Sequence, residues 1–248
     1  MADNPPPPAK RTKYVLTGRD MLGTFQTHPL IPYRLNFAET VKVLVGLDPP
    51  QEFTVCVGII AERSGLFRAH QNLTKDKSES VVLSSYTPET FDMYLHCLYH
   101  KKVPGYIPPP DEEKWTAVSR GLDEAYLERY TDSKFKILIN LYALANKLVD
   151  TDTANMVISQ ITGSSHCSRT PGPGAIELAF SLTTPDSKMR NLLADLYISN
   201  RRAKYRGDYP KAFLDLILKR FLDLKCSGDI VVDGKLLNRL PHSSEYYE

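Results

Sequence analysis

Apolar residues change their spacing partway through FTVCVGIIAERSGLFRAHQ at 53–71, and the rest of the chain is organised around that change. Phe53, Val55 and Val57 alternate with Thr54 and Cys56, whereas Ile59, Ile60, Leu66 and Phe67 follow helical spacing. The pattern predicts a short buried strand running straight into helices. Upstream, Val41, Val43 and Val45 alternate with Lys42 and Leu44, and the turn residues Gly46 to Pro50 predict a hairpin with the Phe53 strand. Downstream, Val81-Val82-Leu83 predicts a third strand. Thr87-Pro88-Glu89 then carries a helix start: a capping hydroxyl, Pro in the first helical position and an acid in the first turn. Phe91, Tyr94, Leu95 and Leu98 mark its buried face, and it is expected to end near His100, ahead of Pro104.

Residues 101–133 interrupt this regularity and read as an insertion. Pro104 and the run Pro108 to Pro110 exclude helix at its start, while Trp115, Val118, Leu122, Tyr126 and Tyr130 predict one amphipathic helix around Gly121. A long helix is predicted from about Ser133 to Val149, apolar on more than one face and therefore central, followed by a helix capped by Asp152 and running through Ile161. The Gly/Ser/Pro segment Gly163 to Gly174 marks a sub-domain boundary, and beyond it helices are predicted at about 174–182, at about 187–199 with Met189, Leu192, Leu193, Leu196 and Tyr197 on one face, and at about 209–224 with Phe213, Ile217, Phe221 and Leu224. Ile230-Val231-Val232 and Leu236-Leu237 around Asp233-Gly234 suggest a small hairpin, and the last ten or so residues are expected to be disordered. The proline-bearing stretch 1–36 has no sustained period and reads as a flexible leader.

Composition narrows the function classes. The formal charge is only +2, from 31 basic and 29 acidic residues, against a general nucleic-acid binder that must neutralise many phosphates. Cys56, Cys97, Cys167 and Cys226 lie far apart with no CxxC pair, which fits reduced thiols in a cytoplasmic or nuclear protein. No apolar run has the length of a signal peptide core or a membrane span, so neither secretion nor membrane insertion is expected.

The order is strand, strand, two short helices, strand, helix, long helix, helix. On VKVLVG at 41–46, FTVCVGIIAERSGLFRA at 53–69, VVLSSYTPETFDMYLHCLYHKKVP at 81–104 and LYALANKLVD at 141–150, the chain resembles a BTB/POZ domain, in wording that of filamentous fungi. AIELAFSLTTPDSKMRNLLADLYI at 175–198 is similar to that family's continuation. The resemblance implies an α+β, predominantly helical fold: a helical cluster capped by a small β-sheet at 37–162, a helical extension at 163–225 and a tail at 226–248. It implies protein association, with a partner protein or with a second copy as a homodimer, and no catalysis. A scaffold is the leading expectation.

The alternative is a substrate adaptor of a cullin-3 type ubiquitin ligase. Such members tend to have a hydrophobic residue, any residue, then an acid after the second helix. The matching place is Leu73-Thr74-Lys75, where a base replaces the acid and reverses the charge of a contact that should be complementary. A second departure is Cys56-Val57, where the family commonly has a His and a basic residue. Trp115, Tyr126 and Tyr130 are further candidates for partner binding, since aromatic residues dominate interface hot spots; packing onto the domain's own core is the alternative.

The remaining chemistry is sparse. His96 and His100 stand i, i+4 on a predicted helix, but a structural zinc site needs four ligands and no second pair has suitable spacing. Gly172-Pro173-Gly174 lacks the GK[ST] of a nucleotide loop and reads as a loop and helix start. Arg201, Arg202, Lys204 and Arg206 read as a solvated linker. No Ser/His/Asp or Cys/His arrangement is visible, so no catalytic, cofactor or metal residue is assigned, and the chain is expected not to be an enzyme.

Overall fold

Alternation of valines places β1 (Thr40–Val45) at the centre of the sheet, with Val43 and Val45 fully buried. In the computed structural model, which describes residues 39–73, 80–105, 124–164, 170–199, 207–226 and 243–248, β1 pairs antiparallel with β2 (Gln51–Cys56) and parallel with β3 (Val81–Leu83). The register sets Val43 opposite Phe53 on one side and Val81 on the other. Gly46 leaves β1 with φ +91°, a region open to glycine, and its N–H donates to the Leu83 carbonyl. The change of period is real: β2 passes without a loop into α1 (Val57–Arg63), and α2 (Gly65–Leu73) follows after one residue. The crossover needed to bring β3 parallel to β1 is carried by these two helices.

The α3 helix (Pro88–His100) starts as its sequence predicts. Thr87 accepts a hydrogen bond from the Thr90 N–H, and Pro88 occupies the first turn. Phe91 and Tyr94 turn inward, and the Phe91 ring meets Phe53 edge-on at 5.0 Å, tying α3 to the sheet. Lys101 closes the helix in the left-handed conformation, its N–H donating to the Cys97 carbonyl.

The long helix, α4, runs over Glu124–Lys147, so it begins about nine residues before Ser133 and absorbs Tyr126 and Tyr130. The predicted break fails because the polar triplet at 131–133 does not cap a new helix. Thr131 donates back to the Leu127 carbonyl, and Asp132 reaches sideways to another helix. The α4 helix is buried on more than one face, through Leu138, Ile139, Leu141, Tyr142, Leu144 and Ala145.

The α5 helix (Thr151–Ser164) is capped by Asp150 and not by Asp152: Asp150 accepts from the Thr153 N–H at 2.9 Å, while Asp152 lies in the first turn. The extension forms α6 (Pro173–Leu182), α7 (Lys188–Ser199) and α8 (Lys211–Cys226), close to the predicted spans. The face predicted for α7 is buried at Met189, Leu192, Leu193 and Leu196, with Tyr197 half-buried. Arg190 folds back over the Phe180 ring at 4.4 Å and donates to the Phe180 carbonyl, satisfying the C-terminal end of α6. The fold is therefore α+β and predominantly helical, a helical cluster capped by a small sheet, with α6 packed on α4 within one continuous core.

The expectation of a disordered end is corrected for residues 243–248. Ser243–Tyr246 form a turn of 3-10 helix, and Tyr246 is buried. A six-residue segment has no room for periodicity, so hydrophobic patterning misses it. The predicted leader, the hairpin at 230–237 and the basic cluster at 201–206 lie outside the described residues.

Candidate interaction surfaces

The junction of α1, α3 and α5 is held by a buried carboxylate. Asp150 Oδ1 accepts from Arg63 Nη2 at 3.2 Å and from the Thr153 N–H, and Oδ2 accepts from the Tyr94 hydroxyl at 3.1 Å and the Thr153 hydroxyl at 2.8 Å. One carboxylate thereby ties α1, α3 and α5. Burial, followed by the charge and hydrogen bond of Asp150, pushes the Tyr94 phenol far above its ordinary pKa, so it remains a neutral donor. Burial likewise pushes the Cys97 thiol up to about 12, which leaves it without thiolate character at neutral pH.

Beside this cluster the loop Leu148–Asp150 satisfies the start of α2. Gly65 N–H donates to the Val149 carbonyl and Leu66 N–H to the Leu148 carbonyl, while the Ser64 hydroxyl donates to the Leu148 carbonyl at 2.6 Å. Holding those carbonyls inward puts Val149 at φ +54°, a left-handed conformation that costs a β-branched residue roughly 1–2 kcal/mol. Its side chain is 60 % exposed, so little packing opposes a change. Val149→Gly is expected to raise stability by about 1 kcal/mol in urea unfolding. Unchanged or lower stability would mean that its contact with Gly65 outweighs the strain.

The candidate residues named from sequence fall in different places. Leu73 closes α2, and Thr74 and Lys75 lie outside the described residues, as does Trp115. Tyr126 is buried and Tyr130 half-buried on the first two turns of α4, so packing into the protein's own structure accounts for much of their surface. Of these candidates, Tyr126 and Tyr130 have described side chains, and both lie on α4.

The rings of His96 and His100 lie tilted to one another with centroids 4.4 Å apart, and the buried His96 Nε2 has no hydrogen-bond partner. Among the described residues no group of three or more His, Cys, Asp and Glu side chains is placed to hold a metal. The Gly172-Pro173-Gly174 turn has a packing explanation. Asp132 on α4 caps the start of α6 by accepting from the Ala175 N–H at 2.9 Å, and it forms an ion pair with Lys136. A Cβ on Gly172 would stand 2.7 Å from the Asp132 carboxylate, and one on Gly174 would stand 2.6 Å from Lys136 Nζ. The helix N-terminus where a phosphate would sit is already filled by a carboxylate of the same chain.

Two surface features remain. A pocket of about 420 Å³ lies between the start of β1 and helices α1 and α2, floored by Val57, Ile60 and Phe67 and rimmed by Glu39, His70 and Gln71. The second is on α8, which buries Phe213 in the core but carries Leu214, Leu218, Phe221 and Leu222 on its outer face, from 37 % to 58 % exposed. Helical spacing predicts Phe221 on one face with Phe213 and Ile217. Phe221 is instead exposed, while Phe213 is buried and Ile217 half-buried. None of the helices among the described residues is long and apolar enough to cross a membrane. The sequence matches no protein-family model, and no curated protein matches it.

Proposed function

We propose that this chain is a non-enzymatic protein-interaction module of BTB/POZ type, which associates with a second copy of itself or with a partner protein. The reading starts from the segments that resemble that family. The observation that carries it is the outer face of α8, where Leu214, Leu218, Phe221 and Leu222 lie together at helical spacing. Scattered surface leucines need no explanation, but a continuous apolar stripe on a helix already anchored by its other face marks a docking surface.

The test is the mass of the purified protein in solution together with the proteins that co-purify with it. Leu218→Asp is the informative variant, since Leu218 is 58 % exposed and a charge there leaves the core untouched. The wild type is expected to be multimeric or to retain a stoichiometric partner. The variant should lose that association at least about thirtyfold, as for a hot-spot residue, with its melting temperature unchanged. A wild type that is monomeric and retains nothing, or a variant that associates normally, removes the support of the stripe.

A further inference from the structure

Residues Ser243–Glu248 dock against three helices that precede them by many residues. The buried Tyr246 hydroxyl donates to Asp195 Oδ2 on α7 at 2.5 Å, and Arg220 on α8 forms an ion pair with the same carboxylate. The Tyr247 and Ser159 hydroxyls are 2.9 Å apart, which joins the segment to α5. Glu248 is held at both ends: its N–H donates to Asn155 Oδ1 at 2.8 Å, and its carboxylate accepts from the Tyr142 hydroxyl of α4. No strand pairing or helix continuation is involved. The segment is held as a bound peptide is, by side-chain anchors seated in sites made by other elements.

The surroundings extend the same chemistry. An open cleft of about 610 Å³ adjoins Tyr247, lined by Arg63, Lys101 and Lys102 as well as Met156 and Ser159. Asp152 and Asn155 line it too, and Tyr247 is the residue of the segment that reaches it. Burial and the Asp195 hydrogen bond hold the Tyr246 phenol well above its usual pKa, so it stays a donor to Asp195 throughout the physiological range.

We propose that this groove is a peptide-recognition site for tyrosine-acidic segments of a partner protein, and that the chain's own residues 243–248 fill it in cis until such a segment displaces them. The recognition elements are a tyrosine hydroxyl read by Asp195, a second tyrosine at Ser159 and a carboxylate read by Tyr142. At an effective concentration near the millimolar range and an intrinsic Kd of about 10 µM for the tethered segment, a competing peptide would bind the intact chain roughly 100-fold more weakly than an emptied groove. The proposal is independent of the α8 stripe.

The test uses the full-length chain and a fluorescent peptide of sequence SSEYYE. Tyr246→Ala removes the buried anchor, and that variant is expected to bind the peptide 10- to 100-fold more tightly than the wild type does. A peptide with Phe in place of the first tyrosine is expected to bind about tenfold more weakly, having lost the donor to Asp195. If Tyr246→Ala melts below the assay temperature, the double variant Tyr247→Ala with Glu248→Ala replaces it, because both residues are exposed. A folded variant that does not bind the peptide, equal affinity of variant and wild type, or indifference to the Phe substitution would each overturn the proposal.

Discussion

Asp150→Ala is expected to destabilise the protein by about 3–5 kcal/mol, the range for breaking a buried charge pair from one side. Three losses coincide. The Arg63 side chain, 12 % exposed, keeps only the Thr153 hydroxyl and the solvent-exposed Asp152, whose Oδ2 lies 3.2 Å from Nε. The Tyr94 hydroxyl, on a fully buried residue, is left without its acceptor, and α5 loses its cap. These penalties share one carboxylate and do not simply add. Urea unfolding should show a lower midpoint with an unchanged slope. Arg63→Met should cost less, because it removes the charge together with its need for a partner. The double variant should then be less damaged than the two single effects imply. A loss below about 1 kcal/mol for Asp150→Ala would show that the cluster is not what joins α1, α3 and α5.

That cluster also shows what was legible in the sequence. Strand alternation and the switch to helical spacing located β1, β2, α1 and α2, because each buries one face and so writes its period into the residues. The start of α3 was legible because Thr87 and Pro88 act locally. The start of α4 was not, because Thr131 and Asp132 have the composition of a cap while their side chains are engaged elsewhere. Choosing Asp150 over Asp152 as the cap of α5 turns on one carboxylate facing inward and the other facing water. Two acids with one residue between them do not reveal that.

The candidate surfaces were less legible still. Trp115, Tyr126 and Tyr130 drew attention as aromatic residues in an apparent insertion, but the two tyrosines belong to the long central helix. On α8 helical spacing marks Phe213, Ile217 and Phe221, yet Phe213 is buried and Phe221 exposed, since spacing reports that a face is apolar and says nothing of what covers it. Docking of residues 243–248 depends on single hydrogen bonds to Asp195, Ser159, Asn155 and Tyr142, four positions spread over more than fifty residues of sequence. Only the adjacent pair Tyr246-Tyr247, flanked by acids, signalled that the segment has something to bury.

Phe213→Ala is the second large effect, expected to cost about 3–5 kcal/mol. Phe213 is fully buried, with its ring centroid 5.7 Å from Phe180, 5.6 Å from Tyr197 and 5.5 Å from Tyr209, so truncation empties the centre of an aromatic cluster that joins α6, α7 and α8. The cluster's rings are held by several helices, and such a site collapses poorly around a void. How the loss is expressed bears on whether the extension is a separate folding unit. Ile176 and Ala179 on α6 lie in the same core as Leu138 and Ile139 on α4, so damage at Phe213 should propagate to the sheet-capped cluster. Circular dichroism and tyrosine fluorescence are therefore expected to report one coincident unfolding transition, shifted as a whole to lower denaturant. Two separated transitions would instead show that α6 to α8 unfold on their own. The apolar stripe of α8 would then belong to a detachable element, and a docking surface there would be governed by the local stability of that element.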